Sequence, residues 1–328
     1  MKKDFIICNK VDMSEYTKAL EPIEKSRYIL IITHVNPDPD SIGSALALSN
    51  LFHENKIKHK VFNISSDLPQ NLDFIPRFDK ISDQLPAFFD LAISVDCGTY
   101  KRLGFELDST IPLINFDHHK SNNNFGTVNI VDSQKSSTAE LVFEFFKHNG
   151  LYITKDSATA LYVGIYDDTL AFSLGRCDEK TFEKINFLVE CGASPSEIAN
   201  KLLRRDSLAK YRIIPKILES LELFKEGEVA SIVAREEWFK ETGAHNRDCE
   251  DALDMIMSIA IVRIAVFIRV VNGVSRVSLR SKGQIDVSKI AGEFDGGGHF
   301  NASGCTIETL DVEKAKEIVL KEIFEIYK

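Results

Sequence analysis

The 328-residue chain has cysteines but no paired Cys-x-x-Cys spacing. Its six, Cys8, Cys97, Cys177, Cys191, Cys249 and Cys305, are scattered. Neither a zinc knuckle nor a disulfide framework is suggested, and a reduced, cytoplasmic setting follows as the expectation. Long hydrophobic runs are lacking too. The strongest, residues 259–271, is broken by Arg263 and Arg269 and is shorter than the roughly 20 residues a membrane-spanning helix needs. The opening residues 1–8 hold too short an apolar run for a signal peptide, so a soluble protein without a membrane partner is expected. Positive charge is in deficit, with 40 basic against 49 acidic residues and a formal net charge of −9. That balance disfavours broad binding to long duplex nucleic acid. It still allows phosphate binding if metal cations offset the protein's carboxylates. There is no internal repeat, low-complexity tract or Gly/Ser-rich linker.

What is present is too long for one ordinary core and argues for two domains. Near-continuous apolar runs at 28–33, 91–95 and 111–116 suit strands of a parallel sheet buried on both faces by helices. Residues 41–55 carry the clearest helical stripe, and Gly43 lets the start of that helix pack closely. Helical periodicity then dominates from 155 to 223, in segments 155–170, 179–190, 196–203 and 207–223, with Ser194 as N-cap and Pro195 at a first helical position. Strand-like runs return at 229–233, 264–271 and 276–279. The fold class is therefore α/β: an N-terminal parallel-sheet domain with helices on both faces, a helical connector, and a smaller C-terminal α/β domain beginning near 225.

Three blocks of acid and imidazole each follow a β-like run. His34, Asp38 and Asp40 follow the first, Asp96 the second, and Asp117-His118-His119 the third. Open α/β sheets bind ligands beyond the carboxyl ends of their strands, so the blocks sit where chemistry belongs. Pro37 and Pro39 stiffen the turn bearing Asp38 and Asp40, whose carboxylates can splay toward two cations. Alone, that turn is also an ordinary strand-to-helix connection, and Asp96 alone reads more simply as an N-cap or solvated acid. Two adjacent imidazoles beside a carboxylate at a buried strand end are harder to explain without metal or hydrogen bonding. Asp167-Asp168 ends a helical run, where the helix dipole disfavours acids; a metal would explain them, as would a solvated terminus.

The set His34-x-x-x-Asp38-x-Asp40-x-x-Gly43-Ser44, Asp96, Asp117-His118-His119 and Asp168-Thr169 resembles the four motifs of the DHH phosphoesterase superfamily. Gly296-Gly297-Gly298-His299 followed by Ala302 and Gly304 resembles the signature of its associated C-terminal domain. Together these motifs span residues 34–304. Arg280-Ser281 and the overall length resemble the nanoRNase and 3′-phosphoadenosine 5′-phosphate (pAp) phosphatase group. The resemblance implies a catalytic domain at 1–190, a helical connector at 191–224 and a substrate-binding domain at 225–328. It implies two Mn²⁺ ions, with Mg²⁺ or Co²⁺ as substitutes. His34, Asp38 and Asp96 would hold one, and Asp40, Asp96, His118 and Asp168 the other, with Asp96 bridging. His119 would face the scissile phosphate and Asp117 orient an imidazole. In the family a single acid usually precedes the Thr; of the adjacent pair here, Asp168 is the better match. Pro39 and Ser303 are also less usual, and neither removes a ligand.

Arg280, Ser281, Gly296, Gly297, Gly298 and His299 would bind substrate phosphates. A glycine run can present N–H groups to an anion, though it is often only a turn, and Arg280 can grip a phosphate in bidentate fashion or be an exposed edge-strand residue. With the two domains facing each other, only the end of a short chain would fit, which favours exo-cleavage. The leading expectation is a Mn²⁺-dependent hydrolase of short single-stranded oligoribonucleotides and of pAp, with a homodimer left open. The alternatives are a cyclic or linear dinucleotide phosphodiesterase, an exopolyphosphatase or pyrophosphatase, and a non-catalytic nucleotide-binding regulator.

Overall fold

The computed structural model describes residues 13–65, 68–173, 177–271 and 273–327; the opening stretch with Cys8 lies outside them. The chain divides into two compact units, the first ending at Arg205 and the second beginning at Asp206.

The first unit contains α1 (Met13–Lys25), β1 (Ile29–Thr33), α2 (Pro39–Glu54), β2 (His59–Phe62), β3 (Ile81–Ser82), β4 (Leu91–Val95), β5 (Leu113–Asp117), β6 (Val128–Val131), α3 (Thr138–His148), α4 (Lys155–Asp168), α5 (Glu179–Glu190) and α6 (Pro195–Leu203). The strands form a six-stranded sheet in the order β3-β2-β1-β4-β5-β6, and every neighbouring pair is parallel. The order reverses between β1 and β4, the switch point at which such sheets open a crevice. β1, β4 and β5 are buried along their whole length, which is why they read as unbroken apolar runs. Ile29, Ile31, Ile93, Val95 and Phe116 join the core beneath the helices. Leu30, Ile32 and Ala92 pack on the opposite face under Leu103, Phe105 and Ile111.

Local chemistry sets the helix starts. Asp38 caps α2 by accepting from Ser41 N at 2.9 Å, with Pro39 in the first turn. Ser137 caps α3 through Glu140 N at 3.2 Å. α2 and α4 cross closely through two glycines. A Cβ on Gly43 would lie 2.4 Å from Ala160 O, and one on Gly164 would lie 2.7 Å from Asp40 Oδ1. Without that close crossing, Asp40 and the end of α4 could not meet.

The second unit contains α7 (Leu208–Glu219), β7 (Glu222–Phe224), β8 (Val229–Ala234), α8 (Glu236–Thr242), α9 (Asp251–Met257), β9 (Ile264–Val271), β10 (Val274–Ser281), α10 (Val287–Gly292), β11 (Gly297–His299), β12 (Ala302–Ile307) and α11 (Val312–Ile326). Its mixed sheet has the order β11-β12-β10-β9-β8-β7, with β8 and β9 parallel. One face packs Val266, Ile268, Val277 and Leu279 under α10 and α11. The other packs Ala265 and Phe267 under α7 and α9.

The stretch expected as a connector, 191–224, is shared between the units. Ile198 of α6 lies in the first core, and Ile213, Ile214 and Ile217 of α7 lie in the second. The helix expected over 207–223 stops at Glu219 and the chain continues as β7. The stop has a local cause: Ser220 Oγ accepts from Val233 N at 2.9 Å, pinning the helix end to β8. Likewise α4 ends at Asp168, where Thr169 Oγ1 donates to Ile165 O at 2.6 Å. Leu170, Ala171 and Phe172 then all take positive φ.

Candidate metal centre

The three blocks converge at the carboxyl ends of β1, β4 and β5, joined by the end of α4. Two groups of donors each lie with ligand atoms within 4.8 Å of one another: His34, Asp38 and Asp96; and Asp40, His118 and Asp168. A third group, Asp96, His118 and His119, shares members with both. Asp96 is thus common to two of the groups. Its φ of +59° is uncommon for a residue with a side chain. The turn is fixed by Asp96 N donating to Phe116 O at 2.9 Å.

The imidazoles are oriented from behind. His34 Nδ1 donates to Val35 O at 2.9 Å, leaving Nε2 3.3 Å from Asp38 Oδ2 and 3.4 Å from Asp96 Oδ2. His118 Nδ1 lies 3.4 Å from Lys135 O, with Nε2 3.0 Å from Asp168 Oδ2 and 3.7 Å from Asp96 Oδ1. His119 Nδ1 donates to Asp117 Oδ1 at 2.7 Å. In His34 and His118 one ring nitrogen lies toward a backbone carbonyl and the other toward the acids, the usual arrangement of metal-binding histidine.

Buried charge points the same way. Burial drives the Asp40 carboxyl well above its ordinary pKa, and the charges of Asp96, Asp168 and Asp38 push it further. Burial opposes the proton on His34, but the hydrogen bonds to Asp38 and Asp96 outweigh it and the pKa is pushed up to about 10. Desolvation also works against charge on Asp96, yet His34, His118 and His119 together hold its carboxyl well below the carboxylate range. A divalent cation would offset the like-charge repulsion that Asp40 endures. The donor set of carboxylate and neutral imidazole fits such an ion.

Asp168 and Asp167 have different surroundings. Asp168 faces His118, whereas half-buried Asp167 is in none of the donor groups and its carboxyl is pushed up to about 7 by burial and the nearby Asp38.

Sequence reasoning missed three contributing residues. Thr138 Oγ1 donates to Asp96 Oδ1 at 2.9 Å. The amides of Thr138 and Ala139 donate to the two oxygens of Asp40. Asn122 Nδ2 donates to Asp117 Oδ2 at 2.6 Å. The signal for the first two was the Ser137-x-x-Glu140 pattern, which marks a helix start; Asn122 carried none.

In the second unit, β11 pairs with β12. A Cβ on Gly296 would lie 2.4 Å from Gly304 O, and one on Gly298, whose φ is +146°, 2.5 Å from Ala302 O. The hairpin itself therefore requires two of the three glycines; Gly297 faces open space. Ser281 Oγ donates to Ile285 O at 2.6 Å and accepts from Asn301 Nδ2 at 2.9 Å, so it holds the loop together. Arg280 lines a hollow of about 390 Å³. His299 lies in β11; its side chain is outside the description.

Residues 28–165 match the DHH family N-terminal domain, and residues 228–327 match the DHHA1 domain. The chain thus carries a DHH domain followed by a DHHA1 domain. It is 29% identical to the bifunctional oligoribonuclease and PAP phosphatase NrnA of Thermus thermophilus, a match covering 90% of this chain and 89% of that protein. It is 26% identical to the protein of the same name from Bacillus subtilis, over 90% and 94%. An exopolyphosphatase-related protein from Bacteroides fragilis superposes with a TM-score of 0.88 at 25% identity over 99% of both chains.

Proposed function

We propose that this protein is a metal-dependent phosphoesterase that hydrolyses short oligoribonucleotides to mononucleotides and removes the 3′-phosphate from pAp. The observation that carries the reading is the pair of donor groups His34/Asp38/Asp96 and Asp40/His118/Asp168, with Asp96 close to both. The NrnA relatives, similar across both units, support the substrate class.

His34, Asp38 and Asp96 would hold one Mn²⁺, and Asp40, Asp96, His118 and Asp168 the second. Mixed imidazole and carboxylate donors suit Mn²⁺ better than Mg²⁺, which prefers oxygen. Such a pair of cations supplies activation of water at neutral pH and stabilises charge on both the entering and leaving oxygens. The chain's own residues do the rest. Asp117, buried and braced by Asn122, holds the Nδ1–H of His119, so that Nε2 is presented to a phosphoryl oxygen. Burial opposes a proton on His119, but Asp117 and Asp96 raise its pKa overall, which suits a donor to developing negative charge. Thr138 steadies Asp96, and the amides of Thr138 and Ala139 fix Asp40. In the second unit, Arg280 and the backbone at Gly297 bind phosphate groups of the substrate.

A reduced cytosolic setting and substrates limited to single-stranded ends belong to the same reading; the five described cysteines form no disulfides among themselves. Among the described residues, no helix is long and apolar enough to cross a membrane.

The test is a product assay with purified protein and Mn²⁺ on pAp, a diribonucleotide, a 24-mer, cyclic di-AMP and polyphosphate. Mononucleotides from the dinucleotide and phosphate from pAp, with slow attack on the 24-mer, are expected. Turnover confined to cyclic di-AMP or polyphosphate would replace this reading with another.

A further inference from the structure

Alternation along β10 buries Ser275, Val277, Leu279 and Ser281 and turns Arg276, Ser278 and Arg280 to the other face. Cross-strand register sets Arg276 opposite Arg269, Ser278 opposite Phe267 and Arg280 opposite Ala265. Directly opposed residues project from the same face, so Arg269, Arg276 and Arg280 share one side of the sheet. On the next strand the residues opposite are small: Thr306, Gly304 and Ala302. The result is a sheet face with three guanidinium groups, part of which, at Ala265 and Phe267, is covered by helices.

This face is electrostatically incomplete. Like charges directly opposed across a strand pair are destabilising, and Arg269 and Arg276 are so opposed. Arg269 lies against the Phe267 ring at 5.1 Å, and its Nε is buried with no hydrogen-bond partner. Three acids stand nearby, lining the same hollow as Arg269 and Arg280. Glu250 reaches only 3.8 Å from Arg269 and Asp254 only 3.9 Å from Arg280, beyond hydrogen-bond distance. Asp251 is taken by Lys210, which also pairs with Asp206 at 2.7 Å. Arg269 and Arg280 thus face two loosely held carboxylates, while Arg276, outside the hollow, donates to Thr306 Oγ1 at 3.2 Å, on a chain that is acidic as a whole.

We propose that this sheet face binds the sugar-phosphate backbone of a short single strand, with Arg269 and Arg276 gripping phosphates beside Arg280. The proposal rests on the phosphoesterase reading above and extends its substrate contacts to two further arginines. Guanidinium groups take phosphate oxygens in bidentate fashion. Arg276 and Arg280 are four residues apart on one strand, about 13 Å at roughly 3.3 Å per residue, so they can serve different phosphates along a chain.

The experiment is fluorescence anisotropy of a labelled RNA pentamer with the full chain, without added metal, over a range of salt. Arg276→Ala is exposed and carries little folding risk; Arg269→Met keeps the stem on Phe267. Each should weaken binding by about ten- to a hundredfold, as expected for a charged hydrogen bond, and should flatten the log–log salt slope by about 0.7, as for one single-strand phosphate. Lys321→Ala, on α11 against the opposite face, should change neither. Absence of pentamer binding by the unmodified protein, unchanged slopes in both arginine variants, or an equal loss in Lys321→Ala would overturn the proposal. If the protein binds the pentamer through these arginines but fails to hydrolyse it with Mn²⁺, the phosphoesterase reading falls and the binding face stands.

Discussion

The backbone amides of Thr138 and Ala139 donate to the two carboxylate oxygens of Asp40, at 2.7 and 2.9 Å. The first turn of α3 thereby spends its free N–H groups on an acid from α2, whose burial and acidic neighbours raise its pKa. Ionised Asp40 is a burden on the metal-free fold that a cation relieves. Mn²⁺ at a hundred times its Kd should therefore stabilise the protein by about 2.7 kcal/mol, or roughly 5–10 °C in Tm for a unit of this size. Asp40→Asn, whose amide would face the Ala139 or Thr138 N–H donor to donor, should lose most of that shift in a thermal melt.

Asp96 belongs to the His34/Asp38 group and lies 3.7 Å from His118 of the other, so its loss should affect both. Asp96→Ala should reduce kcat/KM for pAp by roughly three decades or more, the scale of a metal's charge stabilisation, with the far-UV circular dichroism little changed. Full activity at saturating Mn²⁺ would sink the two-metal arrangement.

The adjacent acids at the end of α4 make opposite predictions. Asp168→Asn should weaken Mn²⁺ binding by isothermal calorimetry, because Asp168 joins Asp40 and His118. Asp167→Asn should be mild toward metal and should affect stability instead. The folded pKa of Asp167 is raised to about 7, so its favourable neutral form is fully present below the unfolded value near 3.9 and lost as pH rises to about 7. Metal-free Asp167→Asn should match the unmodified protein at pH 4 and melt higher above pH 7. The reverse order of metal affinities would mean that Asp167 is the ligand.

The parallel sheet and the acid and imidazole blocks were legible because a strand buried on both faces reads as an unbroken apolar run, and each block follows such a run. Thr138 and Asn122 were not legible. Their contribution depends on α3 and the 119–122 turn meeting residues distant in the chain, and no local pattern encodes that meeting. The end of α7 failed for a related reason: periodicity continued past Glu219, but Ser220 found its partner on β8. That Arg269 and Arg276 share a face with Arg280 was not legible, because only the cross-strand register of β9 and β10 places them there.

Metal and proton should compete at His34. Its folded pKa is pushed up to about 10 in the metal-free protein, against about 6.5 unfolded. The proton's stabilising effect is full below about 6.5 and lost as pH rises through about 10. Metal binding must displace that proton, so apparent Mn²⁺ affinity should climb with pH between 7 and 9, up to tenfold per unit for one proton. Calorimetry in buffers of different ionisation enthalpy should register proton release at pH 7.5. Affinity that stays flat over this range would mean that His34 is already neutral in the metal-free site.

Arg280 and His299 should matter for real substrates and little for a minimal one. If the second unit grips phosphate groups other than the one being cleaved, that binding energy positions pAp and dinucleotides for attack. Losing one charge-assisted phosphate contact is worth about 1.5–3 kcal/mol, or roughly one to two decades in kcat/KM. Arg280→Ala and His299→Ala should each show losses of that size on pAp and on a diribonucleotide. Hydrolysis of bis-p-nitrophenyl phosphate, which offers no second phosphate, should fall much less. Arg280 is held only loosely by Asp254, at 3.9 Å, so its removal should leave the melting temperature nearly unchanged. Equal losses on both kinds of substrate would assign these residues to the chemical step or to the fold, and the division of labour between the two units would be wrong.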